Sequence, residues 1–248
     1  NGRDDDGNGY TDDVHGYNFS YDVKGLREKW DDPDFQKRVK KILPDFIFSP
    51  LTRDPIDTDG HGTQVAGVVA STGKYNPDVV GVNPVSAKIM VLKVLFDPVA
   101  ELITKLSGKP EAAEIKSLYN LDQIIAASIK YAAANGAKII NFSIESDSTD
   151  TLTKAAFEST QDDGIFIAAA TVNGTTDKSK NLNKLEITKS NPDYPTSWDL
   201  SNMIVVANSN KVQKKLGEDQ LYIETRKEDG QSAPAFTVIG SGYGKDYV

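Results

Sequence analysis

Four short runs constrain the fold of this chain more than anything else in it: residues 87–95 (AKIMVLKVL), 138–143 (KIINFS), 165–170 (IFIAAA) and 203–207 (MIVVA). They are apolar at consecutive positions rather than at alternate ones, the pattern of strands covered on both faces. Helical patterns lie between them. Leu121, Ile124, Ile125, Ser128, Ile129 and Ala132 recur at three- and four-residue steps, so one helical face is apolar. Gly136 stands where a left-handed glycine would end that helix. Residues 151–160 repeat the pattern, and 64–70 is a run of small apolar residues that reads as a tightly packed helix. Alternating strands and helices predict an α/β fold, a three-layer sandwich around a mostly parallel central sheet. A chain of 248 residues is long enough to form it as a single domain over 1–248.

Three polar segments, 21–56, 97–116 and 175–192, read as surface insertions, which long loops tolerate cheaply. Within the first, Phe35, Val39 and Ile42 mark one face of a short helix over 34–43, with its Lys and Arg residues on a solvated face. The segment 221–248 reads as one or two strands and a Gly-rich turn, with no helix after it.

Composition removes several functions. The 28 basic and 36 acidic residues leave a net charge of −8, which disfavours nucleic acid, because binding it requires a basic face. No apolar run approaches the roughly 20 residues of a membrane-spanning helix. Without cysteine there is no disulfide, no thiolate nucleophile and no Cys-ligated zinc, and two histidines, His15 and His61, leave little for a multi-His metal site.

Two stretches carry chemistry. In 4–13 (DDDGNGYTDD) Asp4, Asp6 and Asn8 fall at loop positions 1, 3 and 5, with Gly9 at position 6 to permit the sharp turn and the Tyr10 carbonyl next in line. This is the first half of an EF-hand-like calcium loop. His15 stands where the closing Glu of such a loop belongs, so Asp13 or Asp12 closes it instead. The reading without metal is an acidic surface turn. In 59–67 (DGHGTQVAG), His61 sits between glycines at the start of an apolar helix. Such a histidine is structural, merely exposed, or catalytic with its ring presented at the sheet edge.

The run GHGTQVAG (60–67) resembles the histidine motif GHGTHVAG of the subtilisin-like serine proteases, the subtilases. Other segments resemble that family in the same order. Residues 1–19 resemble the calcium segment after the catalytic Asp strand, and Asp54, Pro55 and Asp57 the approach to the histidine motif. Residues 137–143 resemble the strand lining the substrate groove, 164–173 (GIFIAAATVN) the oxyanion segment, and 194–207 (YPTSWDLSNMIVVA) the stretch following it.

The resemblance implies a subtilisin-like serine endopeptidase acting on peptide or protein substrates. His61 is then the general base and Asn173 the oxyanion-hole amide. Ser143, Ile144, Glu145 and Val172 would line the substrate groove, and Asp4, Asp6, Asn8, Tyr10 and Asp13 would hold Ca2+. It also implies secretion, and association with a propeptide or flanking segments. The family pattern places the catalytic Asp before the calcium segment and the nucleophilic Ser after the last strand, so this chain reads as an internal segment carrying only the histidine of the triad.

Two look-alikes are rejected. The run 57–60 (DTDG) abuts His61 instead of ending an upstream strand, and Ser232 in 230–234 (GQSAP) precedes strand-like residues instead of a helix. Gln64 replaces a second histidine of the motif. Glu145 and Val172 stand where the family has glycines, which would narrow the groove; the alternative reading is therefore an inactive, calcium-stabilised module that binds a peptide or serves as a scaffold.

Overall fold

The computed structural model describes residues 2–23, 25–48, 51–144, 150–170 and 192–206, together with the backbone of four short strands beyond them. Two compact units divide the chain, 1–131 and 132–248.

The first unit holds two parallel strands, β1 (Gly16–Asn18) and β2 (Val91–Lys93), in the register Gly16 to Val91, Tyr17 to Leu92 and Asn18 to Lys93. Its helices are α1 (Leu26–Trp30), α2 (Pro33–Ile42), α3 (His61–Ala70), α4 (Asp97–Lys105) and α5 (Pro110–Leu118). The helix α6 (Leu121–Ala134) follows. α2 starts where its sequence says it should: Asp32 caps it by accepting from the Asp34 N–H, and Pro33 supplies a preset φ at the first turn. Phe35 and Val39 are buried as the spacing predicts, whereas Ile42 is 39% exposed.

The segments 21–56 and 97–116, read from sequence as separate insertions, pack on each other. Leu26, Trp30, Phe35, Val39, Phe46 and Leu51 of the first meet Val99, Leu102, Leu106, Ala112 and Ile115 of the second in one apolar core. Trp30 lies at its centre, edge-on to Phe96 at 5.3 Å and tilted against Phe48 at 4.8 Å. Outside this core, Glu114 of α5 takes Lys29 Nζ at 2.9 Å and Arg38 Nη2 at 2.9 Å, tying α1 and α2 to α5. The Lys29 contact, with help from Arg38, holds its carboxyl below the usual carboxylate range.

α6 buries the face read from the sequence: Ile124, Ile125, Ser128, Ile129 and Ala132 are all nearly inaccessible. Gly136 then adopts φ +76°, and the Ala137 N–H reaches the Ala132 carbonyl at 2.9 Å, closing the helix end. α3 differs from expectation. None of its residues is buried among the described residues. A Val/Ala/Gly helix is apolar all round, so its sequence calls for burial without choosing a face.

The second unit is built on three parallel strands in the order β3 (Ile139–Phe142), β4 (Phe166–Ala170) and β5 (Met203–Val206). The crossover from β3 to β4 carries α7 (Thr151–Asp162), capped by Asp150, which accepts from the Leu152 and Thr153 N–H groups. Phe157 of α7 packs edge-on against Phe142 of β3 at 5.1 Å. The consecutive apolar residues predicted strands covered on both faces, but exposure alternates along β4, where Ile167 and Ala169 are fully buried and Phe166 is 44% exposed, and Ile139 of β3 is 67% exposed, so one face is left partly open. Two antiparallel pairs follow, β6 (Ser209–Val212) with β7 (Gln220–Ile223) and β8 (Lys227–Glu228) with β9 (Gln231–Ser232). Ser232 thus lies in a strand, in keeping with its rejection as a nucleophile at a helix start.

Candidate active site and acidic loop

The backbone of α3 places His61. The helix begins at His61 itself, and its N-cap is Gly60, at φ +99° with no side chain to satisfy the first N–H groups. Only glycine takes that conformation without strain. Gly62 is different: a Cβ there would sit 3.7 Å from Asp57 Oδ2, an ordinary contact, so packing does not demand glycine.

The missing cap comes from Asp57. Its Oδ1 accepts from the Asp59 N–H at 3.1 Å and the Gly60 N–H at 2.8 Å. Its Oδ2 accepts from the Thr63 N–H at 2.8 Å and the Thr63 hydroxyl at 2.6 Å. Asp59 Oδ2 takes the His61 N–H at 3.2 Å. Desolvation pulls the Asp57 carboxyl upward. The hydrogen bonds, that of the Thr63 hydroxyl first, outweigh it and hold the group well below the usual carboxylate range.

A folded-state value below the unfolded one means that the ionised cap stabilises the fold above about pH 4, and that this stabilisation is lost as pH falls below that. Asp57→Asn is therefore expected to lower Tm by a constant amount above pH 5, and by progressively less below pH 4. Paired thermal melts across pH 3–7 check this; parallel curves would contradict it.

The acidic loop is a hydrogen-bonded network. Asp4 accepts from the N–H groups of Gly7, Asn8 and Gly9 at 2.8–3.1 Å, and these, Gly9 foremost, lower its carboxyl from the usual value. Asn8 Nδ2 bridges Asp6 Oδ2 at 3.1 Å and Asp13 Oδ2 at 2.8 Å. Asp13 also takes the Tyr131 hydroxyl at 2.5 Å. Burial, then this hydrogen bond, raises the tyrosine. The Tyr10 ring is edge-on to Tyr17 at 4.9 Å and to Tyr131 at 4.8 Å, so an aromatic cluster anchors the loop.

The oxygen donors suit a hard cation. Their arrangement is not yet that of a coordination sphere. Among the described residues no three His, Asp or Glu side chains converge, and Asn8 turns its nitrogen toward the carboxylates while its Oδ1 takes the Tyr10 N–H.

In the second unit, Ser143 and Ile144 directly follow β3, both half-buried, and Asn141 Nδ2 donates to Ser143 Oγ at 3.0 Å. Glu145, Val172 and Asn173 lie outside the described residues, as does 175–191 of the insertion read over 175–192. Two residues with clear roles escaped the sequence reading. The sequence places Asp57 in the approach to the histidine motif and in a look-alike of a catalytic motif, but not as a cap, although an Asp three residues before a glycine N-cap is a usable signal. Tyr131 lies 118 residues from its partner Asp13, beyond any local pattern.

The subtilase-family model matches residues 29–244. The chain belongs to the subtilase family. Along its full length it is 27% identical to subtilisin-like protease 1 of Plasmodium berghei (strain Anka), covering 34% of that protein. Over 39% of its length it is 36% identical to the cell wall-associated protease of Bacillus subtilis (strain 168), covering 9% of it. Among solved structures, the S41 psychrophilic protease is 25% identical over 69% of this chain and 47% of that one, at a TM-score of 0.46. The chain therefore spans about a third or less of the length of the curated relatives named here. The parallel registers of β1 with β2 and of β3, β4 and β5 agree with the α/β fold of a subtilase. No helix among the described residues is long and apolar enough to cross a membrane.

Proposed function

We propose that this subtilase-family chain supplies the general base of a serine endopeptidase. The observation that carries the reading is the His61 turn: a histidine between glycines at the first position of an apolar helix, within a chain whose family match runs over 29–244. His61 takes the proton from a serine hydroxyl as that oxygen attacks the peptide carbonyl, then returns it to the leaving amine. The side-chain amide of Asn173 donates to the oxyanion formed between those steps. The chain at Ser143 and Ile144, directly after β3, pairs with the substrate backbone, and Glu145 and Val172 bound its groove. Two relatives are by name a subtilisin-like protease and a cell wall-associated protease, in keeping with peptide substrates and action outside the cytoplasm. A propeptide would occupy the same groove.

The test is incubation of the native protein with an unfolded protein substrate, with new termini mapped by mass spectrometry. Cuts at internal peptide bonds are expected. A substrate left intact would overturn the reading in favour of an inactive, peptide-binding relative.

The acidic loop belongs to this proposal as a Ca2+ site formed by Asp4, Asp6, Asn8, the Tyr10 carbonyl and Asp13. Asn8 already bridges Asp6 and Asp13, and turning its amide would present oxygen to the cation. Binding at a hundredfold over Kd would stabilise by about 2.7 kcal/mol, or roughly 5–10 °C for a protein of this size. Chelator is expected to lower Tm by that amount and added Ca2+ to restore it. An unchanged melt would leave the loop an acidic surface turn.

A further inference from the structure

We propose that Asp57 is the positioning residue for His61, clamping the backbone from which the imidazole projects; this rests on His61 being the general base. The sequence around the histidine has no stiffness of its own, because glycine flanks it on both sides and is the most permissive residue. A general base nevertheless has to be held to within about 0.5 Å to be effective.

The structure supplies the stiffness from outside the helix. One oxygen of Asp57 holds Asp59 and Gly60, on the entry side of His61, and the other holds Thr63 by both its N–H and its hydroxyl, on the exit side. A single carboxylate thus spans the turn, with His61 in the middle, while Asp59 takes the His61 N–H. The clamp is itself anchored. Lys93 of β2 donates to the Ile56 carbonyl at 2.6 Å and to Thr58 Oγ1 at 3.5 Å, tying the residues on either side of Asp57 to the sheet. From β2 to the first turn of α3 the connection runs through the Lys93 hydrogen bonds, the backbone of residues 56–58 and the Asp57 carboxylate. An ordinary N-cap side chain at position 60 would satisfy one helix N–H. It would not fix the turn on both sides of the histidine.

Three variants test this: Asp57→Ala removes all the contacts of the carboxylate, Asp57→Asn exchanges one acceptor oxygen for an N–H donor group, and Thr63→Val removes only the hydroxyl contact. Two readouts are needed. For peptide hydrolysis by the native protein, Asp57→Ala is expected to lower kcat about 10- to 100-fold with KM within about twofold, and Thr63→Val to fall in between. Independently of activity, amide exchange at Gly60, His61 and Thr63 should accelerate at least about tenfold in Asp57→Asn, while the amides of Ala66–Ala70 keep their protection. The His61 ring resonance should shift, with His15 as the internal reference.

If the wild type hydrolyses nothing, the general-base reading fails, and with it any catalytic role for Asp57. If the wild type hydrolyses peptides but Asp57→Ala keeps its kcat, or exchange at Gly60 and Thr63 does not change, the clamp is overturned while the general-base reading stands. If Asp57→Ala does not fold, Asp57→Asn and Thr63→Val decide by the same measurements.

Discussion

Replacing His61 by alanine is expected to lower kcat for peptide hydrolysis by about a million-fold, the size of the effect recorded for the catalytic histidine of subtilisin. The expectation follows from the proton balance. Without the imidazole, the serine hydroxyl has no acceptor as it attacks, and the amine has no donor as it leaves, so both halves of the reaction are blocked. Rate remaining from substrate binding and the oxyanion amide is small on this scale. Stability should hardly move, because His61 sits at the first helical position, is only half-buried, and its N–H contact with Asp59 survives the change. His15→Ala is the control: that side chain is exposed, and kcat should be unchanged. Circular dichroism and steady-state kinetics on the three proteins decide it. Equal loss in both variants, or none in His61→Ala, would remove the histidine from the mechanism.

The second large effect concerns the fold. Gly16→Ala is expected to destabilise the first unit by about 3–5 kcal/mol. Gly16 opens β1 at φ +111°, facing Val91 across the parallel pair. A Cβ there would collide with the Val91 carbonyl oxygen and lie 2.7 Å from its carbon and nitrogen. Backbone in a strand cannot swing aside as a side chain does, so the short β1–β2 pairing has to part. Gly108→Ala isolates this term: φ is +80° but nothing stands within 4 Å of the added carbon, so only about 1–2 kcal/mol of backbone strain is expected. Trp30, buried in the first unit's core, reports unfolding by fluorescence in urea once Trp198 is replaced by Phe. Equal midpoints for the two variants would contradict the close approach.

The features read correctly from the sequence are those whose cause is local. The α6 stripe from Ile124 to Ala132 and the Phe35–Val39 pair of α2 follow from helical spacing. Gly136 follows from the needs of a helix end, and parallel strands from consecutive apolar residues. What was missed is non-local. Nothing in the spacing of 21–56 shows that its Trp30 needs Phe96 and that its helices need α4 and α5, because each segment alone looks polar. Ile42 completes a plausible apolar face, yet the chain leaves the helix there and turns Leu43 inward instead. α3 illustrates another limit: a helix apolar on all sides declares no partner.

At the site the same division holds. His61 and the acidic loop are sequence motifs and were legible as such. The Asp57 clamp and the Tyr131 hydrogen bond to Asp13 depend on how loops are tethered, by Lys93 in one case and by an aromatic cluster in the other.

A subtilase that works with a serine nucleophile through His61 carries an activated serine hydroxyl, and that hydroxyl can be titrated chemically. The most direct test is reaction of the native protein with a fluorophosphonate, read as intact mass in wild type and His61→Ala. A gain of one probe mass is expected in the wild type and none in the variant. Folded wild-type protein that takes up no probe, or equal labelling of the two proteins, would contradict it.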